Sequence, residues 1–313
     1  MSPPPPLPAR PRRTSLRAGL GRTAAYLLAF AVLHGLAVWT PVGQRAENAL
    51  VVGYADQARI FPWAQSWGPP PLTHEIPLLA VGLALVVTIA VVRRRLREGC
   101  AAVATVVGTL AVTELLSKVV LVRPDLVGAA YNLREASFPS GHVAISAALA
   151  LGLVLVVPGQ VRFPVAAVGA VWVALTAGAV QALYWHRPSD VLGAVLPACA
   201  AFTVAAGLLG PGAAVGGTRP RLRHVMYVLP VAAAVAVLAA SREDAVARPL
   251  VFAGAALVCA VLVLAAVVRS PSAPRVQDMP VPGATAAAPG NGTTRTRAPG
   301  GAVRPEPGRP ARG

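Results

Sequence analysis

An all-α, polytopic membrane helix bundle is the fold class this sequence predicts, and three observations predict it. The chain of 313 residues is 55% apolar and only 13% charged, against about 45–50% and about 25% in a soluble domain. Its apolar residues gather into eight runs near the length of about 20 residues that crosses a bilayer as a helix. Its formal net charge of +16 rests on 27 Arg and a single lysine, Lys118, unevenly shared among the connections. These figures exclude a water-soluble enzyme, a disordered chain and a disulfide scaffold.

The runs cover roughly 23–43, 75–92, 100–122, 143–158, 165–185, 191–210, 225–240 and 250–268. The fourth and seventh are short. Val and Ala dominate, and Val alone suits a strand, but buried strands run only about 4–8 residues and the alternation of a membrane barrel is absent. The first run is long for a signal peptide, and Thr40-Pro41-Val42-Gly43 is a poor cleavage site, so it is expected to remain as a membrane helix. Cys100, Cys199 and Cys259 lie in apolar stretches without metal-like spacing and read as small buried hydrophobes.

Charge orients the runs. With the N-terminus inside, the segments 1–22, 93–99, 159–164, 211–224 and 269–313 hold 20 of the arginines against the acids Glu98, Asp278 and Glu306. The outer connections sum to zero. That asymmetry is the positive-inside pattern, with Arg93, Arg94, Arg95 and Arg97 as its strongest anchor. The basic excess is therefore topological, and no nucleic-acid partner is expected. Residues 1–22 and 269–313, rich in Pro, Gly, Ala and Arg, are expected to be disordered. Asn291-Gly292-Thr293 matches a glycosylation sequon on the inner side, where it is discounted. The outer segment 44–74, with Phe61, Trp63, Trp67 and His74, reads as an interfacial stretch, either a surface anchor or a guide for a lipid. The Val/Ala richness and the preference for Arg over Lys point to a GC-rich bacterial genome.

Ionisable residues beside spans are functional candidates because hydrocarbon makes them costly. Three clusters fall at the outer ends of spans three to six: Glu114, Lys118, Arg123 and Asp125; Ser137-Phe138-Pro139-Ser140-Gly141-His142; and Trp185-His186-Arg187-Pro188-Ser189-Asp190. Lys118 and Arg123 supply positive charge. Ser140-Gly141 opens the fourth span, where free backbone N–H groups favour an anion. His142 and His186 offer a nucleophile and a proton donor. Asp190, four residues after His186, is spaced to orient that imidazole. Together these groups suggest phosphoryl transfer, and no carboxylate or Cys/His grouping suggests a metal. Each signal alone has a structural reading: an interfacial histidine, an Arg-Pro helix stop, a Ser-Gly cap. Their conjunction in consecutive spans is what points to a site.

The order Lys–Arg-Pro, then Pro139-Ser140-Gly141-His142, then His186-x3-Asp190 resembles the type 2 phosphatidic acid phosphatase (PAP2) superfamily over roughly residues 75–210. The resemblance implies a six-helix PAP2-like core within 23–210, with two additional C-terminal transmembrane helices in 211–268. It implies His186 as the nucleophile that forms a phosphohistidine, Asp190 as its orienting carboxylate and His142 as the general acid. It implies Ser140, Gly141, Arg123 and Lys118 as phosphate ligands, and no cofactor or metal.

Two departures stand out. Only four residues separate Lys118 from Arg123, where the family has six, and Leu116 occupies the family's lysine position. Lys118 must then reach by its stem, or the helix must end before Pro124. Glu114 is spaced to pair with Lys118 one turn away. The Ser-Arg of the third motif aligns with Ala179 and Val180, and Arg187 or Arg134 is the candidate to replace the missing charge.

Three functions remain open. One is an integral-membrane phosphatase acting on a lipid phosphate or diphosphate at the outer face. The second is a non-catalytic lipid-phosphate binder or transporter on the same scaffold. The third is a plain channel or carrier, for which no repeated halves are visible.

Overall fold

Backbone groups inside a bilayer must be paired within the segment that crosses it, and for a long apolar run the helix is the solution. The computed structural model describes residues 12–52, 72–210, 222–240 and 247–270, and no strand occurs among the described residues. In chain order the α-helices are α1 (Arg12–Val38), α2 (Pro41–Val51), α3 (Glu75–Val92), α4 (Leu96–Leu115), α5 (Gly141–Val156), α6 (Arg162–Ala182), α7 (Pro188–Leu209), α8 (Leu222–Ala240) and α9 (Ala247–Val268). Among the described residues, six segments are long and apolar enough to cross a membrane: Arg17–Val38, Glu75–Val92, Leu96–Val120, Gly159–Ala182, Pro188–Leu209 and Arg248–Val268. The remaining two apolar helices, Gly141–Val156 and His224–Ala240, are shorter and correspond to the fourth and seventh runs. All described residues belong to one compact unit, Met1–Ala273.

Two boundaries differ from the sequence expectation at the N-terminal end. The basic leader, expected to be irregular through residue 22, is helical from Arg12 and continues into the first span. That span ends at Val38 rather than residue 43, because a new helix starts at once. Thr40 Oγ1 accepts the Gly43 N–H at 3.0 Å, and Pro41 occupies the first turn of α2. A threonine cap followed by proline is a strong helix start. The first part of the expected interfacial segment is therefore helix, while Phe61, Trp63 and Trp67 lie outside the described residues, as do residues 271–313.

The α1–α2 corner is tight. A Cβ added to Gly43 would lie 2.1 Å from the Leu36 carbonyl oxygen, a backbone atom with no freedom to yield. Gly43→Ala is therefore expected to destabilise the protein by about 3 kcal/mol, as overpacked sites do. A lowered thermal midpoint in detergent would show it.

A helix that is apolar all round belongs in the middle of a bundle, and α5 is that helix. It is buried along most of its length and packs against α3, α4, α6 and α7. Helix α1 lies on α7, while α8 and α9 pack on α6, and α9 also on α7. Small residues permit this closeness, as is usual between membrane helices. A Cβ on Gly178 of α6 would come within 2.9 Å of the Ala239 Cβ of α8.

Two of the connections reverse by the same device. After α3, Arg94 takes the left-handed conformation (φ 54°), with Arg94 N–H donating to Val91 O and Arg95 N–H to Ala90 O. After α6, Tyr184 does likewise (φ 56°), with Tyr184 N–H donating to Gln181 O and Trp185 N–H to Val180 O. Both are Schellman endings, which satisfy the last carbonyls of a helix and turn the chain sharply. The second delivers Trp185 and His186 to the top of α5.

Helix α9 braces this turn. Gln181 Nε2 donates to Phe252 O at 3.2 Å, and Arg248 Nη1 donates to Tyr184 Oη at 3.1 Å and to Val52 O at 2.8 Å. At the opposite end of α5, Arg93 Nη1 donates to the Val156 carbonyl at 2.5 Å. The arginine cluster and the α5 N-terminus thus lie at opposite ends of one helix.

Candidate active site

The second and third sequence clusters meet where α5 and α7 begin. Ser140 caps α5, its Oγ accepting Val143 N–H at 3.4 Å, and its own N–H donates to Asp190 O at 3.0 Å. Asp190 is the third residue of α7 and reaches back to the start of its helix, as the acid of a capping box does. Its Oδ2 accepts the Arg187 N–H at 2.8 Å and the Ser137 hydroxyl at 2.6 Å. That same oxygen lies 3.5 Å from His186 Nδ1. The imidazole therefore turns Nδ1 toward the buried carboxylate, which leaves Nε2 as the nitrogen available for attack.

His142 stands beside His186, with ring centroids 5.7 Å apart, and beside Trp185 at 5.5 Å. Its Nε2 is 2.8 Å from Glu75 Oε1, at the first residue of α3. A cavity of about 530 Å³ opens here, lined by Ser137, His142, Tyr184, Trp185, His186 and Arg187, with Val51 and Leu72 on its apolar side. Of the residues given a catalytic or phosphate-binding role from the sequence, His142, His186 and Arg187 line it. Asp190 and Ser140 are fully buried immediately behind. Around Gly141, a Cβ would meet nothing within 4 Å, so the backbone there is open to a close approach.

The positive groups expected at the site, Lys118, Arg187, Arg134 and Arg123, lie in different surroundings. Lys118, expected as a phosphate ligand, is not brought to the cavity. It pairs with Glu114 one turn away, as the spacing predicted, and its side chain is 71% exposed. The reason is local. Residues Leu116–Val120 form a π-helical turn, after which Leu121 is extended. The helix does end before Pro124, but that ending leaves Lys118 on the outer surface. Lys118→Ala is expected to change KM for a phosphate substrate by less than about threefold, the scale of an exposed pair. A tenfold rise in KM would contradict this placement.

Arg187 lines the cavity, and its guanidinium is largely committed. Nη1 donates to Ser137 Oγ at 2.8 Å and Nη2 to Leu133 O at 2.7 Å. It lies where a charge could compensate for Val180, which is fully buried in the core. Arg134, the other candidate, instead joins Asp125 at 3.2 Å and the Ala129 carbonyl at 2.7 Å. Asp125 is held below the usual carboxylate range chiefly by the backbone N–H of Ala129, and this loop forms a turn of its own.

Arg123 sits across Ser137 from the cavity, in a narrow cleft with His34, Val38 and Phe138. Its Nη2 donates to Asn48 Oδ1 at 3.1 Å, and its Nη1 is 4.0 Å from Glu47 Oε2. Burial lowers its ordinary pKa. Gln44, on the same face of α2, donates from Nε2 to Pro124 O and accepts from Leu126 N–H at 3.2 Å. Gln44, Glu47 and Asn48 were missed as site neighbours by sequence reasoning. Their i, i+3, i+4 spacing after a Thr-Pro helix start was the available signal.

Among the described residues, no group of three or more His, Cys, Asp or Glu side chains is placed to hold a metal ion.

This geometry defines a helical membrane bundle with a histidine–carboxylate centre at one end. Residues 98–210, from the start of α4 to the end of α7, match the family model of the PAP2 superfamily. The match spans the stretch that carries the Arg-Pro, Pro-Ser-Gly-His and His-x3-Asp patterns. No curated protein and no solved structure matches the chain.

Proposed function

We propose that the protein is an integral-membrane phosphatase that hydrolyses a lipid phosphate or diphosphate at the extracytoplasmic face through a phosphohistidine on His186. The match to the PAP2 superfamily model points to phosphatase-type activity. The observation that carries the finer reading is the convergence of His186, His142 and Asp190 on one cavity with an apolar side. His186 Nε2 attacks phosphorus while the P–O bond to the lipid breaks, and His142 gives its proton to the leaving oxygen. Asp190 stabilises the imidazolium character that develops. Water then attacks the phosphohistidine, returns a proton to His142 and releases inorganic phosphate. The position of this site at the far end of α5 from Arg93 supports an outward-facing reaction, given the positive-inside rule.

A second reading, a non-catalytic lipid-phosphate binder, is favoured by two observations: Val180 stands where the resemblance implies a phosphate-binding arginine, and Arg187 is already bonded through both terminal nitrogens. The test is phosphate release by detergent-purified protein without added metal. The panel comprises phosphatidic acid, other phospholipid phosphates and polyprenyl diphosphates. Release from at least one substrate is expected. Binding of the panel without release from any member would select the second reading.

A further inference from the structure

Helix α2 lies outside the segment that matches the family, yet its one carboxylate, Glu47, reaches the first turn of α7 beside the site. Glu47 is buried, with a side chain only 10% exposed. Its Oε1 accepts the Ser189 N–H at 3.0 Å, one of the free donors in the first turn of α7. Its Oε2 has no hydrogen-bond partner and points toward Arg123 Nη1 at 4.0 Å. The neighbouring Asn48 holds the other terminal nitrogen of Arg123. Two adjacent residues of α2 thus flank the guanidinium of Arg123.

Resting on the phosphatase reading above, we propose that Glu47 is a positioning residue, a resident counter-ion that offsets the pull of Arg123, across Ser137, on a phosphate in the cavity. A carboxylate this close to a guanidinium offsets part of the attraction that the arginine exerts on any other anion, and does so strongly where water is scarce. Because Oε1 is anchored to Ser189 at the start of α7, Glu47 cannot simply swing away. Phosphate therefore gains the full charge of Arg123 only when Glu47 is neutral.

The charged groups facing Glu47 are Asp190 and Arg187 at the start of α7 and Arg123 in the connection after α4. Burial, reinforced by Asp190, pushes Glu47 up to about 7. Below that pH the carboxyl is protonated and the charge of Arg123 acts undiminished on the incoming anion. Above it the ionised carboxylate opposes anion binding.

The test uses sulfate, a tetrahedral dianion whose own charge is constant from pH 6 to pH 8. Its dissociation constant is measured by calorimetry on the full-length protein in detergent. The parent and Glu47→Gln are expected to bind alike at pH 6. At pH 8 the variant is expected to bind about tenfold more tightly, corresponding to about 1.4 kcal/mol. Any contribution from the site histidines is common to both proteins. Glu47→Asp keeps the charge and is expected to keep the parent's weakening with pH, which a purely structural role for the side chain would not predict. Should Glu47→Gln fail to fold, Arg123→Gln supplies the same contrast, losing affinity at pH 6 far more than at pH 8. Parallel pH profiles for parent and variant, or no sulfate binding by the parent at either pH, would overturn the inference. Sulfate binding with the expected pH contrast, but no phosphate release from any lipid, would retain it and sink the phosphatase reading instead.

Discussion

His186→Ala is expected to lower lipid-phosphate hydrolysis by at least about 10⁴-fold, the scale on which loss of a covalent nucleophile acts. The physical reason is that no neighbouring group can substitute. His142 is the other imidazole at the cavity, and its Nε2 is engaged by Glu75 at 2.8 Å. Its ring centre is 5.7 Å from that of His186, so its attack would come from a different direction. The side chain of His186 is nearly buried but makes no strong bond to the core, since Nδ1 lies 3.5 Å from Asp190. Its removal should therefore leave the bundle intact. The measurement is phosphate release from the best substrate of the panel, with thermal midpoints of both proteins alongside. Activity within tenfold of the parent would remove His186 from the nucleophile's role.

Asp190→Asn is the second large effect, expected at about 10³–10⁴-fold in kcat, as when a histidine loses its orienting carboxylate. One oxygen of Asp190 serves three partners at once: the Ser137 hydroxyl, the Arg187 N–H and the Nδ1 side of His186. An asparagine oxygen can still accept from Ser137 and Arg187, so the α7 cap survives. What is lost is the negative charge facing the imidazole and the buried guanidinium of Arg187. The expected signature is a fall in kcat with a smaller change in KM. Loss of folding, read as a collapse of the thermal midpoint, would show instead that the carboxylate is chiefly a structural counter-charge for Arg187.

How much of this was legible beforehand differs by element. Pro139-Ser140-Gly141-His142 and His186-x3-Asp190 are local patterns, and a local pattern survives into the fold. The cap at Ser140 and the carboxylate behind His186 are both where the spacing put them. The pairing of Lys118 with Glu114 was likewise readable from an i,i+4 spacing. That Lys118 ends on the outer surface was not readable, because it depends on a π-helical turn at Leu116–Val120 whose register no short pattern announces. Arg187 was a candidate by adjacency alone. Its bonds to Ser137 and Leu133 bridge separations of 50 and 54 residues, and nothing in the neighbouring sequence encodes them.

Helix α2 shows the same boundary from the other side. Thr40 and Pro41 are a helix start that a reader of the sequence can recognise, and Gln44, Glu47 and Asn48 share one helical face. Which face is buried, and against what, depends on the corner at Gly43 and on the packing of α1 against α7. Those contacts bring Glu47 to Ser189, 142 positions away in the chain.

The amino-acid sequence by itself determined a membrane bundle of apolar helices, the asymmetry of its charge and the two motifs that hold His142, His186 and Asp190. Each of these follows from composition or from spacings of a few residues, which helix geometry converts directly into position. Only the tertiary structure decided which cations face the cavity, that α9 braces the turn before His186, and that a carboxylate of α2 stands against Arg123. Those outcomes rest on close contacts between helices distant in the chain, where a single left-handed residue or one π-helical turn redirects a side chain.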